Sequence, residues 1–445
     1  MNVKIYSTYL SLLKEYITFK SVSTLENEIE ITKTVEWLVQ TLKNSGFKTK
    51  VIKGFDNPVV LASVQVDQSY PTILIYGHYD VQPASEEEWG TNPFELIEKQ
   101  NKLFARGVVD NKGQMMVHLA SVIELLKSGK LQYNIKFLIE GNEETGSPNI
   151  SKLLEKYQKE LESDVILISD SSMVRNLPTI EASLRGVLNT TLVIKTSDKD
   201  LHSGLYGGPV PNAIHEASKL ISKFFSKDNS ITIPGFYDQV IENEKLKLYA
   251  LANELNDDQY LDLTGSTEML LEEGENYYSQ IGLRPTIQMT GIQAGYIGKG
   301  YRNSVPSEAV IKINIRLVPN QDPDEILKVL KEFVKDNLPN YVKFEFLKPE
   351  KTEGVVKAIV IDTDNQFTQL AVQLLKNVFG QDVVYDFNGA TLPIVLSFKQ
   401  ILKTDLLMVA LVNEDCNMHA VGENYDLQTL RKAITFSYKF LSTAI

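Results

Sequence analysis

Two hydrophobic patterns alternate along the chain and divide it into three segments. Up to about residue 185, short apolar runs are bounded by Gly, Asp or Pro and separated by helical patterns at 111–128 and 149–161. Such runs predict strands that are covered on both faces. They lie at 59–66, 72–80, 134–141 and 164–170. This order of strands and helices predicts an α/β fold class with a layered sheet.

The pattern changes near residue 186. Apolar and polar residues alternate at 187–196 and 308–318, which is typical of strands with one solvent-exposed face. Helical patterns follow at 212–225 and 322–337, and a long acidic stretch at about 227–285 is predicted to be irregular. These elements predict a small α+β domain.

Compact apolar patterns return after about residue 355. A helix is predicted at 366–379, a buried strand at 406–412 and a terminal helix at 425–442. We therefore expect residues 1–185 and 355–445 to form one discontinuous α/β domain, and residues 186–354 to form a domain inserted into it.

The amino-acid composition limits which classes of molecule the protein is expected to bind. The 445 residues include 57 acidic and 45 basic side chains, a net charge of −12, which disfavours nucleic acid and anionic membranes. The single cysteine, Cys416, excludes an intrachain disulfide and permits a reducing compartment. No targeting segment is recognisable and the longest apolar run, 406–412, is too short to span a membrane, so a cytoplasmic location is expected.

Metal-binding residue types follow four of the predicted α/β strands. Ligands of open α/β sheets bind beyond the carboxyl ends of the strands, so these side chains are expected to converge. The residues are His78 and Asp80, Glu143 and Glu144, Asp170, and His419. A further acid, Asp110, precedes a predicted helix, where it could also serve as an N-cap.

Nitrogen and oxygen ligands without cysteine favour a catalytic site for zinc, with manganese or cobalt as alternatives. The charges fit two ions. Two divalent ions carry four positive charges, and Asp110, Glu144, Asp170 and one bridging hydroxide carry four negative charges. We therefore predict a centre with two divalent metal ions.

The remaining acids take supporting roles in this scheme. Asp110 has two oxygens and could bridge two ions about 3.5–4 Å apart. Glu143 then stays outside the ligand set as a general base. Asp80 follows His78 by two residues and is expected to orient its ring.

The motifs GHYDVQPA, GVVDNKGQ, GNEETGS and MHAVGE resemble the metal motifs of the M20 metallopeptidases. That family contains dipeptidases, carboxypeptidases and N-acyl amino acid deacylases. The segments EEWGTNPF and INIRLVP are most similar to its cytosolic, carnosine-type dipeptidase branch. The resemblance implies a three-layer, zinc-peptidase-like catalytic domain with a mixed sheet, interrupted by an inserted α+β lid or dimerisation domain.

The resemblance also assigns ligands. It implies that His78 and Asp170 hold one metal ion, that Glu144 and His419 hold the other, and that Asp110 bridges them. It also makes Glu143 the general base and Asp80 the acid that orients His78. In this family the peptide bond after the bridging Asp is often cis, which here is Asp110–Asn111.

Further positions match the inserted domain of the family. The segment LHSGLYGGPVPN resembles a loop whose histidine, here His202, reaches across a homodimer interface to stabilise the oxyanion in the partner's site. Asn303, Arg316 and Thr391 align with substrate or lid contacts. Two of these depart from the family pattern, since Thr is usual where Asn303 stands and a Gly-Gly-Ser-like turn is usual at 389–391. His118 and His215 are predicted to be structural.

The predicted reaction is hydrolysis of an amide bond in dipeptides or short peptides, with a metal-bridging water as nucleophile and Glu143 as base. Three alternatives stay open: an N-acyl amino acid deacylase of the same fold, a two-metal phosphoesterase, and a binding protein on an inactive peptidase scaffold. The sequence also leaves open the choice between a dipeptidase and a carboxypeptidase.

Overall fold

The computed structural model describes residues 3–25, 27–253, 255–347, 355–388 and 393–445. The chain folds into two compact units. The first unit runs to Ala182 and resumes over Ile361–Asp386 and the C-terminal segment. The second unit is Ser183–Val360 with a short segment that starts at Phe387. From the sequence pattern, these divisions were expected at 185/186 and 354/355.

The first stretch of the chain supplies most of the first unit. Its helices are α1 (Val3–Tyr16), α2 (Glu28–Asn44), α3 (Glu86–Trp89), α4 (Lys112–Ser128) and α5 (Ile150–Leu161). Its strands are β1 (Lys48–Ile52), β2 (Val59–Val64), β3 (Thr72–His78), β4 (Ile97–Lys99), β5 (Lys102–Phe104), β6 (Asn134–Glu140), β7 (Val165–Ile168) and β8 (Thr179–Leu184). Short 3-10 turns cover Glu143–Thr145 and Val174–Asn176.

The middle stretch forms the second unit. Its helices are α6 (Ser203–Tyr206), α7 (Ala213–Ile221), α8 (Glu244–Leu251), α9 (Asp257–Thr264), α10 (Tyr277–Gly282) and α11 (Pro323–Asn337). Its strands are β9 (Gly186–Lys195), β10 (Leu201–His202), β11 (Thr286–Ala294), β12 (Ser304–Val305), β13 (Glu308–Leu317), β14 (Lys343–Leu347), β15 (Val355–Val356) and β16 (Ile359–Val360).

The last stretch returns to the first unit. Its helices are α12 (Gln366–Phe379), α13 (Pro393–Ser397) and α14 (Leu427–Leu441), with a π-helical turn over Phe398–Leu402. Its strands are β17 (Val384–Asn388), β18 (Asp405–Ala410) and β19 (Asn424–Asp426).

The main sheet of the first unit is mixed, as predicted. Its strands run in the order β1-β2-β6-β3-β7-β18-β8, and the central β6, β3, β7 and β18 are parallel. Alternate side chains of β3 face opposite sides. Ile73 and Ile75 join the core that includes residues of α1, α4 and α14, whereas the Tyr76 ring packs 5.4 Å from the ring of Phe398. Helical segments therefore cover both faces of the sheet, which gives three layers.

The second unit is built on the antiparallel sheet β11-β13-β9-β14. Ile311, Ile313 and Ile315 of β13 pack in a core with residues of α7 and α11. The side chains between them, including Asn314 and Arg316, lie on the opposite face of the sheet. This arrangement confirms the α+β class of the inserted segment.

The acidic stretch at 227–285 is more ordered than the sequence pattern predicted. Helices α8, α9 and α10 lie within it, and each begins at an asparagine whose side chain accepts a backbone N–H: Asn243, Asn256 and Asn276. These caps compensate for the weak apolar periodicity of short helices. In the described part of the chain, no helix combines the length and apolar content needed to span a membrane.

Candidate active site

The predicted metal-binding residues converge at one edge of the main sheet. Strand β3 is parallel to both β6 and β7, and β7 is parallel to β18, so their carboxyl ends meet there. His78 is the last residue of β3, Asp170 follows β7 by two residues, and His419 lies in the loop after β18. Glu143 and Glu144 lie in the 3-10 turn that follows β6.

One group of possible ligands consists of His78, Asp110 and Asp170. The Nε2 atom of His78 lies 3.0 Å from Oδ1 of Asp110 and 3.6 Å from Oδ2 of Asp170. All three side chains are deeply buried, with 6% exposure or less. The arrangement supplies one nitrogen and two oxygen donors around a single point.

A second group consists of Asp110, Glu144 and His419. The Nε2 atom of His419 lies 2.7 Å from Oδ2 of Asp110 and 3.3 Å from Oε2 of Glu144. Asp110 belongs to both groups, and each of its oxygens faces a different histidine. Its carboxylate is therefore placed to bridge two ions.

Asp110 does not serve as the N-cap of α4. That position belongs to Asn111, and no side-chain capping bond forms there. The peptide bond between Asp110 and Asn111 is cis, as the resemblance implied.

The donors fit divalent ions. Nε2 of His78 and Oε1 of Glu144 are buried, yet neither forms a hydrogen bond with any residue that the structure describes. A buried polar atom without a partner is unfavourable. Nitrogen and carboxylate oxygen donors of this kind bind zinc, manganese and cobalt.

Asp80 contacts both His78 and the turn that carries Glu143 and Glu144. Nδ1 of His78 lies 3.0 Å from the carbonyl oxygen of Asp80 and 3.3 Å from its Oδ1. Because both atoms are acceptors, Nδ1 carries a hydrogen, and Nε2 is turned towards the carboxylates of Asp110 and Asp170. The same carboxylate accepts the backbone N–H groups of Glu143 at 3.3 Å and Glu144 at 3.1 Å. Asp80 therefore orients a histidine and fixes the Glu-Glu turn.

Glu143, like Asp80, stays outside both ligand groups of the described residues, but it is not engaged in orienting a ligand histidine. Burial raises its pKa well above the ordinary value, and the nearby charges of Asp170 and Asp110 raise it further, although His78 opposes them. A carboxyl group with a raised pKa is a stronger base, which suits proton transfer near neutral pH.

The ligand groups titrate abnormally because the charges are crowded and buried. Burial and the charge of Asp110 raise the pKa of Glu144 to about 7, and burial also raises that of Asp170. Burial would raise the pKa of Asp110 as well, but the rings of His419 and His78, each close to one of its oxygens, outweigh burial and hold that pKa well below its usual range. Such perturbed groups cluster at functional sites.

Two amide side chains orient the ligands, and sequence reasoning did not assign them. Nδ2 of Asn111 donates to Oδ1 of Asp170 at 2.7 Å, and Nε2 of Gln82 donates to Oε2 of Glu144 at 2.5 Å. Gln82 lies in the motif GHYDVQPA and Asn111 in GVVDNKGQ, so proximity to the predicted ligands in sequence could have indicated both. Such second contacts fix ligand geometry.

A buried ion pair joins two ligand loops. The carboxylate of Glu423 accepts the backbone N–H groups of Gly107, Val109 and Asp110, and it pairs with Arg106 at 2.7 Å. Nη2 of Arg106 donates to the carbonyl oxygen of His419 at 3.2 Å. The pair therefore positions two predicted ligands whose loops are far apart in sequence.

The other predicted site residues lie in the second unit or outside the described residues. His202 and Asn303 are exposed, and the backbone N–H of Ser203 donates to the carbonyl oxygen of Asn303 at 3.0 Å. Arg316 is half-buried and lines a cavity. Thr391 lies outside the residues that the structure describes.

The prediction that His118 is structural is confirmed. It is buried in α4, where its ring nitrogens lie 3.0 Å from the hydroxyl groups of Ser169 and Ser437. Burial lowers its pKa to about 3, so the ring stays neutral.

Peptidases are among the known proteins that are similar to this chain. The human "Beta-Ala-His dipeptidase" is 29% identical over 82% of this chain and 73% of its own length. The "Cys-Gly metallodipeptidase DUG1" of Saccharomyces cerevisiae is 28% identical over 83% of this chain and 78% of its own length. The structure of an M20 family metallo-carboxypeptidase, Sso-CP2 from Sulfolobus solfataricus, matches with a TM-score of 0.80 and 29% identity over 99% of both chains.

The family profile covers most of the chain. It matches residues 74–443, a range that contains every predicted metal ligand and both supporting acids. This match confirms the resemblance that the motifs indicated. The chain belongs to peptidase family M20/M25/M40.

Proposed function

We propose that this chain is a two-metal dipeptidase that hydrolyses the amide bond of dipeptides or short peptides. The observation that carries the proposal is the pair of ligand groups that share Asp110. Membership of a peptidase family favours amide hydrolysis over hydrolysis of phosphate esters. A complete set of ligands with a neighbouring base favours an enzyme over an inactive binding protein.

The residues divide between two ions. His78 and Asp170 would hold one ion, Glu144 and His419 the other, and Asp110 both. Zinc is the first candidate, and manganese and cobalt suit the same donors. When bound, the ions supply positive charge that polarises a carbonyl group and lowers the pKa of water.

Glu143 then acts as the general base. It takes a proton from the attacking water and passes it to the amine that leaves. Two backbone hydrogen bonds from the Glu143–Glu144 turn to Asp80 support this role because they fix the backbone position from which the Glu143 side chain extends. Pre-positioned groups of this kind reduce the reorganisation needed during the reaction.

The substrate proposal rests on the names of the relatives and on one arginine. Both curated relatives are named as dipeptidases. Arg316 would bind the terminal carboxylate of the substrate through its planar fork of donors. Asn303 and Thr391 remain proposed contacts to the substrate or to the lid.

A substrate panel tests this proposal. With zinc, manganese or cobalt present, the protein is expected to hydrolyse Ala-Leu with a kcat/KM at least about tenfold above that for N-acetyl-leucine, because a dipeptidase site recognises the free amine. Tripeptides with the same C-terminal residue separate a dipeptidase from a carboxypeptidase. A clear preference for N-acetyl-leucine would make the chain a deacylase instead.

We also propose a homodimer in which His202 completes the partner's site. Its loop exposes Leu205 at 74%, and the loop before β12, the strand that pairs with β10, exposes Ile297 at 93% and Tyr301 at 102%. Exposed apolar residues grouped on neighbouring loops are typical of an interface. A second copy of the chain is the occupant that the motif around His202 implies.

Mixed dimers test the shared site. The variants His202→Ala and Glu143→Gln are each expected to be nearly inactive alone. In a mixture, one site of a mixed dimer combines an intact Glu143 with the partner's intact His202, so activity should recover to about a quarter of the wild-type value. No recovery from a sample shown to contain mixed dimers, or full activity in a monomer, would contradict the shared site.

A further inference from the structure

A cavity in the second unit contains two arginines. Its volume is about 570 Å³, a size typical of small-molecule sites. Arg185 and Arg316 line it together with the amide side chains of Gln280, Gln288 and Asn314. The proposed function assigns a role to Arg316 but none to Arg185.

The guanidinium of Arg185 is largely buried and lacks hydrogen-bond partners for two of its nitrogens among the described residues. The residue is 9% exposed, and its Nε and Nη1 atoms have no hydrogen-bond partner among the described residues. Burying a cation costs free energy unless it is paired. Folding alone therefore does not explain an arginine at this position.

The acid in the cavity does not neutralise Arg185. Glu272 is the acidic residue among the described residues that line it, and its Oε2 atom accepts hydrogen bonds from Nε and Nη2 of Arg284 at 2.8 and 2.6 Å. Its other oxygen accepts from the hydroxyl group of Tyr237 at 3.0 Å. The Glu272 carboxylate is thus already occupied by other donors.

Burial, and then the charge of Arg316, lower the pKa of Arg185 to about 10. The side chain consequently stays protonated at neutral pH. Two neighbouring cations repel each other, and an anion that binds between them relieves this repulsion. Guanidinium groups match the geometry of a carboxylate with two parallel hydrogen bonds.

We propose that Arg185 is a second carboxylate-binding residue, which holds the terminal carboxylate of the peptide substrate together with Arg316. This inference rests on the proposed function and specifies one of its substrate contacts. It makes recognition of the terminal carboxylate depend on two cations. Substrates whose terminus carries no charge are therefore rejected more strongly than a single arginine would achieve.

The test compares Ala-Leu with its C-terminal amide, Ala-Leu-NH2, in which the same internal bond is cleaved. In Arg185→Gln, the ratio of kcat/KM for the acid to that for the amide is expected to fall about tenfold or more, mainly through KM for the acid. Arg185→Lys, which keeps the charge but loses the fork, should give an intermediate ratio. The exposed Lys312→Gln on β13 removes a cation outside the cavity and should leave the ratio unchanged.

Thermal denaturation separates binding from folding. Because two buried nitrogens of the Arg185 guanidinium have no partner among the described residues, Arg185→Gln should melt at the same temperature as the wild type or higher. An unchanged acid-to-amide ratio in Arg185→Gln, or a lower melting temperature with equal loss on both substrates, would overturn the inference. If the wild type cleaves no dipeptide in the presence of metal, the proposed function itself fails.

Discussion

Replacing Glu143 by glutamine is expected to lower kcat by about 10²–10⁴-fold, the usual range for loss of a general base. The substitution keeps the size of the side chain and removes its ability to take a proton. Bound metal should stay unchanged, because Glu143 lies outside both ligand groups of the described residues. Single-turnover kinetics and metal analysis of the purified variant check both parts of this expectation.

The adjacent acid provides a matched control. Glu144→Gln makes the same chemical change one residue away, but Oε2 of Glu144 lies 3.3 Å from Nε2 of His419 within a ligand group. This variant should lose metal as well as activity. The assignment of Glu143 as base is wrong if Glu143→Gln retains a kcat near that of the wild type, or if it loses metal to the same extent as Glu144→Gln.

Removal of divalent metal is expected to abolish hydrolysis and to lower the melting temperature. The carboxylates of Asp110, Glu144 and Asp170 are crowded at one edge of the sheet, and burial raises the pKa of the latter two. Bound cations relieve that repulsion. A ligand at about 100 times its Kd stabilises the native state by about 2.7 kcal/mol for each site. Thermal denaturation before and after chelation, and again after the metal is restored, measures this effect.

The fold could be predicted largely from the spacing of apolar residues. Buried strands such as β3 and β7 appear as continuous apolar runs, and the half-exposed β9 and β13 alternate. The helices at 227–285 could not be predicted from this signal, because each is short and begins at an asparagine cap. Apolar periodicity does not report capping.

The convergence of the possible ligands also followed from the sequence, because parallel strands end at the same edge. The side chains that orient them could not be found in this way. Glu423 and Arg106 are 317 positions apart, and their ion pair depends on tertiary packing. Arg185 belongs to no motif, and what distinguishes it from an ordinary arginine is its burial, with two nitrogens that have no partner in the described part of the chain.

The most direct test of the two-metal proposal is a titration of the metal-free protein with zinc, manganese or cobalt while hydrolysis of Ala-Leu is measured. We predict that the purified active protein holds two ions per chain, that exhaustive chelation removes them and abolishes hydrolysis, and that activity returns as both sites refill. Hydrolysis at the full rate in protein with no measurable metal would contradict the account.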